Sequence, residues 1–259
     1  MRRKSLFLKG NLDLRDSLHS LKMDGKVQWN GINEVVRHRF PDTTVRLYHE
    51  TWTRSDALLE ADGEIPGDLL DRTLPLGAYP VASQFSQALF DSKADAIVLS
   101  ILPDVATHLL RHKHDKYLLY PGDMGYWPKD EAEWLRANFE TTSQLDPETS
   151  MRNFAMIVGC IRAHSDAPVL VYNLSSVVPG DTTHCHEGLD EILSTRIKRF
   201  NVALVELSRQ TGISIVDVDA VIARHGADRL KIDPFHLNAE GCRLVTEEVV
   251  RILEDCGCL

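Results

Sequence analysis

Residues 233–241 read Asp-Pro-Phe-His-Leu-Asn-Ala-Glu-Gly and set a carboxylate three positions before an imidazole. Pro234 disfavours helix at Asp233, so Asp233 and His236 share a loop. Asn238 is a good helix N-cap, and Leu237 can pack on Cys242 across that start. The helix that follows carries Cys242, Val245, Val249, Ile252 and Leu253 toward the core. A loop pinned at a helix start holds His236 in a defined position. An acid that bonds one ring nitrogen fixes the tautomer and leaves the other nitrogen as a base. This is the acid–base half of a hydrolytic site. The same spacing also fits a surface aspartate beside a histidine of the capping loop.

Elements able to position such a loop recur along the chain. Five β-rich runs cover 5–9, 44–49, 96–102, 169–174 and 213–218, the last three almost continuously apolar, as strands buried on both faces are. Between them, Met151, Phe154, Ala155, Val158 and Ile161 recur at helical spacing. So do Leu189, Leu193, Ile197, Phe200, Leu204 and Leu207. Alternating strands and helices predict βαβ crossovers. The expected fold is α/β, a three-layer α/β/α sandwich on a five-stranded, mostly parallel sheet of flavodoxin-like type, with ligands beyond the carboxyl ends of the strands. Residues 1–259 form one domain. The aromatic and turn-rich stretch 120–134 predicts an insertion around 105–145, read either as a cover over the site or as a packed surface loop.

The block Asp-Pro-Phe-His-Leu-Asn-Ala-Glu-Gly-Cys-Arg-Leu-Val (233–245) resembles the last block of the SGNH, or GDSL-type, hydrolases, D-x-x-H-x-N-x-x-G. Asp233, His236, Asn238 and Gly241 fall on that pattern. The resemblance implies that Asp233 and His236 are the catalytic acid and base, and that the fold is the sandwich inferred above. It also implies a nucleophilic serine just after the first strand, in G-D-S-[LI]. Here the strand is followed by Gly10-Asn11-Leu12-Asp13, with no serine. Asp-Ser-Leu arrives later, at 16–18, where Asp16 reads as an N-cap with Ser17 in the first turn of a helix. The dipole there would favour an alkoxide, which makes Ser17 the candidate nucleophile or else an ordinary helix-start serine. No glycine follows the second strand, and Pro103 stands where G-x-N-D has its asparagine, leaving Asp104 as the surviving member. Two of three expected oxyanion donors are missing, each worth about 2.7–4 kcal/mol of transition-state stabilisation. Asn11, Asn173, Arg15 and Arg54 are the available substitutes, each equally readable as a turn or surface residue.

Other clusters give weaker leads. His108 and His112 would share a face if helical, and Asp181, His184, Cys185, His186 and Glu187 crowd one loop; neither matches a closed metal set. Asp217 and Asp219 read as caps at the end of the fifth strand. No phosphate-binding glycine motif occurs, and no cofactor is expected. The chain is 43% hydrophobic and 26% charged with a net charge of -9, so it would repel nucleic acid. Its five cysteines and the absence of a signal-like start predict free thiols, a cytoplasmic protein and no membrane partner. The expected function is hydrolysis or acyl transfer on a small acyl ester or related carbonyl compound. The alternatives are a non-catalytic binding protein of the same fold and a metal enzyme using loop histidines.

Overall fold

The computed structural model describes residues 2–23, 25–180 and 191–259. Five parallel strands form the central sheet: β1 (Arg2–Gly10), β2 (Thr43–Thr51), β3 (Ala96–Ser100), β4 (Val169–Tyr172) and β5 (Ser214–Val216). Their order is β5-β4-β3-β1-β2. All five expected strands are present. The fifth is shorter than its apolar run because Asp217 leaves the sheet to cap the next helix, accepting from the Ala220 N–H.

Alternation along each strand sorts side chains between two faces. Leu6 and Leu8, Ala96 and Val98, and Leu170 and Tyr172 face one core. Three helices cover that core: α1 (Ile32–Arg39), α4 (Val218–His225) and α5 (Ala239–Asp255). Phe7, Ile97, Leu99, Val169 and Val171 face the other core, under α2 (Pro147–Arg162) and α3 (Leu193–Thr211). The result is a three-layer α/β/α sandwich. β1 lies inside the sheet, with its successor β2 on one side and β3 on the other. This reversal of winding opens a crevice at the carboxyl ends of the strands.

Residues between β3 and α2 build a separate small layer. Strands 110–112, 118–119 and 139–141 pair antiparallel, and helix Lys129–Asn138 joins them in a core of Leu69, Leu76, Phe85, Leu119, Leu135 and Phe139. The insertion is thus a packed module. Among the described residues, no helix is long and apolar enough to cross a membrane.

Candidate active site

The turn after β1 sets the floor of the site. Gly10 ends the strand, and a Cβ there would lie 2.4 Å from Leu14 Cδ1, so the chain can fold back at once only because the residue is glycine. Asn11 then caps a short turn, Leu12–Leu14, its Oδ1 accepting from the Leu12 N–H at 2.7 Å. A single π-helical turn, Arg15–His19, continues it. Asp16 does not cap anything; it pairs with Arg15 at 2.8 Å. The expected helix start at Asp16 is therefore corrected, because Asn11 has already started the helix five residues earlier. Ser17 consequently lies in the interior of a helical segment, where no helix dipole favours its alkoxide.

The loop after α4 carries Asp233 and His236. It closes as a small hairpin, with a bridge between Lys231 and Leu237, a bond from the Ile232 N–H to the His236 carbonyl at 2.9 Å, and one from the Asn238 N–H to the Leu230 carbonyl at 2.8 Å. Asn238 caps α5 through the Gly241 N–H. Inside this frame Asp233 Oδ1 accepts from the N–H groups of Phe235 and His236 at 2.8 and 2.9 Å, and Oδ2 bonds His236 Nδ1 at 2.6 Å. Burial works to raise the Asp233 pKa, but the two backbone donors and the imidazole outweigh it and hold the carboxyl below its usual range. The acid is ionised and oriented, and it engages the ring through Nδ1. Both side chains are about two-fifths exposed.

A narrow pocket lies between the turn after β1, the end of β4, the 231–237 loop and α5. Its apolar lining includes Leu12, Leu174, Val218, Phe235, Cys242 and Val245; its polar lining includes Asp13, Ser17, Asn173, Ser175, Lys231 and His236. Ser17 and His236 share this pocket but, among the described residues, no hydrogen bond. The Ser17 hydroxyl donates to the Asp13 carbonyl at 2.6 Å, and the Tyr172 hydroxyl lies 3.2 Å from it. Leu12, the residue next after Gly10-Asn11, lines the pocket where the resemblance would put a serine.

The other expected contacts separate. Asn173 lines the pocket, yet its amide is committed: Nδ2 donates to Asp217 at 2.8 Å and Oδ1 accepts from the Asp219 N–H at 3.2 Å. Asn11 receives the Tyr79 hydroxyl and does not line the pocket. Asp104 is 1% exposed and accepts from the Ser55 N–H, the Ser55 hydroxyl and the Ser150 hydroxyl at 2.7, 2.5 and 2.6 Å. It ties the segment after β2 to α2, away from the pocket, so its expected contact with substrate is corrected to a structural role. Arg54 is buried against Asp56 and the Ser143 carbonyl. None of residues 105–145 lines the pocket, so the insertion does not cover it.

His108 and His112 are not helical; residues 110–112 form a strand, and His112 is buried, stacked on Tyr117 with its Nδ1 accepting from the Asp115 N–H. His184, His186 and their neighbours lie outside the described residues. No group of three metal-ligating side chains gathers among the described residues.

Three pocket residues escape a reading of the sequence: Asp13, Ser175 and Lys231. Asp13 is half-buried; burial pushes its carboxyl upward against the Ser100 hydroxyl and the Leu14 and Asn11 contacts that favour ionisation. Lys231 stands two residues before Asp233, and that proximity is its only signal in the chain. Charged loop residues are too common for it to stand out.

No family model matches the chain, and no protein of curated function matches it. Solved structures do. LAE5, an α/β hydrolase enzyme from the metagenome of Lake Arreo, aligns over 99% of this chain and 96% of its own, with a TM-score of 0.53 at 14% identity. A member of the lipolytic G-D-S-L family from Veillonella parvula aligns over 96% and 98%, with a TM-score of 0.50 at 10% identity. The fold is that of the SGNH-type hydrolases. A variant of Axe2, an acetylxylan esterase from Geobacillus stearothermophilus, aligns over 96% and 93%, with a TM-score of 0.52 at 10% identity. At such identities the SGNH likeness extends to the arrangement of the backbone.

Proposed function

We propose that this protein is a divergent SGNH-type hydrolase, or an acyltransferase of the same chemistry, acting on a small acyl ester or related carbonyl compound. The observation that supports this is the 2.6 Å contact between His236 Nδ1 and an ionised Asp233 at the mouth of an apolar pocket. In this reading Asp233 holds the tautomer that leaves Nε2 basic. His236 takes a proton from the attacking group, then returns it to the departing alkoxide. Because Leu12 offers no hydroxyl and Ser17 gives its proton to a backbone carbonyl, the attacking group is assigned to water. An acceptor alcohol takes its place in acyl transfer. The proton lost by the water goes to Nε2, the tetrahedral adduct collapses, and the imidazolium protonates the leaving oxygen, so no covalent acyl-enzyme forms.

A second reading, ligand binding without turnover, draws on Leu12 and on Pro103, which supplies neither a side-chain donor nor an N–H.

Hydrolysis of 4-nitrophenyl acetate, combined with a serine-reactive phosphonate, tests both. The expected result is hydrolysis that survives Ser17→Ala within about threefold, with no serine labelled. Labelling that disappears in Ser17→Ala would make Ser17 the nucleophile and end the assignment to water. Absence of turnover across esters, thioesters and amides would favour the binding reading.

A further inference from the structure

The pocket lining holds a hydrogen-bonding group with nothing to bond among the described residues. Ser175, three residues past β4, is 5% exposed and lines the pocket, and its Oγ has no partner among the described residues. Burying a hydroxyl unpaired is unfavourable, so such groups in folded proteins point to something that completes them. Lys231 lies against the same residue: its Nζ donates to the Ser175 carbonyl at 3.3 Å and also to the Val177 carbonyl. An ammonium has three donors, and two are used among the described residues. Among the described residues Lys231 forms no ion pair. Its neighbouring carboxylates are Asp219 and Asp233. Asp219 is occupied by the Ser176 N–H, and Asp233 by His236. Of the other acids lining the pocket, Asp16 is paired with Arg15 and Asp13 is bonded to Ser100.

We propose that Ser175 and Lys231 form a subsite for a carboxylate, so that the pocket takes a small monocarboxylate anion, with one oxygen on the free ammonium proton and one on the Ser175 hydroxyl. This rests on the hydrolase reading and deepens it: the anion is either the acid released by hydrolysis or a carboxylate at the end of the acyl group. Burial lowers the Lys231 pKa to about 8, against the pull of Asp219 and Asp233, so the ammonium persists at neutral pH and is lost above about pH 8.

The test is a titration of the intact protein with ¹³C-acetate, acetamide and monomethyl succinate, read by NMR or calorimetry without any assay of turnover. Acetate is expected to bind saturably and acetamide at least tenfold more weakly. Lys231→Met is expected to weaken acetate roughly tenfold or more, and Ser175→Ala about threefold, since a charge-assisted bond outweighs a neutral one. Affinity in the wild type should fall above pH 8 and stay flat in Lys231→Met. Tighter binding of acetate than of monomethyl succinate identifies the product acid; the reverse order identifies an acyl tail. Equal binding of acetate and acetamide, or acetate binding unchanged in Lys231→Met of unaltered circular dichroism, overturns the subsite. Carboxylate binding without ester turnover would leave the subsite standing and remove the hydrolase reading; turnover without carboxylate selectivity would do the opposite.

Discussion

Replacing His236 by alanine is expected to lower kcat/KM for a small activated ester by two to four orders of magnitude, the usual worth of a positioned general base. The fold should survive, because the loop is closed by backbone bonds between Ile232 and His236 and between Asn238 and Leu230 that need no imidazole. Asp233→Asn is expected to cost about a hundredfold. Its amide can still accept from the Phe235 and His236 N–H groups through one oxygen, but its other end would present N–H₂ to Nδ1 and favour the wrong tautomer. Steady-state kinetics on both variants, with thermal unfolding as the check on integrity, decide the matter. Equal turnover in wild type and His236→Ala would remove the dyad from the chemistry.

The second large effect is on stability. Asp104→Ala leaves one backbone N–H and two hydroxyls without their shared acceptor in a site sealed from water. A loss of about 3 kcal/mol is expected from the unpaired donors. For a chain of this size that is a fall in Tm of roughly 6–12 °C. Asp104→Asn keeps an acceptor oxygen for the Ser55 N–H, and its cost at pH 7 should stay near ~1 kcal/mol. The two also differ in pH response. Burial raises the Asp104 pKa to about 6, against the three donors that favour ionisation. A carboxyl whose folded pKa lies above its unfolded value stabilises the fold when protonated. That contribution is full below about pH 4 and is lost as pH rises through 6. Across this window the wild type should lose about 3 kcal/mol of stability from this one group, roughly 1.4 kcal/mol for each pH unit that separates the folded and unfolded pKa values. Asp104→Asn should flatten that slope. Chemical denaturation at about pH 4.5, 5.5 and 6.5, spanning the titration, measures it, and identical slopes in the two proteins would refute the assignment.

What can be read from the sequence follows a physical divide. Strands β3, β4 and β5 are legible because a strand buried on both faces is apolar at every position, and the helices because their core faces repeat at 3.6 residues. Asp233 and His236 are legible because their pairing is local: three residues, a proline and a cap decide it. Ser17 misleads for the opposite reason. Its environment depends on where the chain after β1 first turns helical, and Asn11 settles that before Asp16 is reached. Asp104 suggests a substrate contact by its position after β3, whereas its partners, Ser55 and Ser150, come from segments 49 and 46 residues away. Ser175 and Lys231 meet only because β4 and the 231–237 loop converge, and no spacing in the chain announces that meeting.

The small module between β3 and α2 keeps its own apolar centre, built around Leu119, Leu135 and Phe139 and shared with the 62–85 segment rather than with either face of the sheet. Its three strands are two or three residues long. Such a unit can open while the sandwich stays closed. In deuterium, amides of residues 110–141 should therefore exchange ahead of those of β1 and β3, and a protease would find its first cut there, leaving the crevice at the strand ends intact.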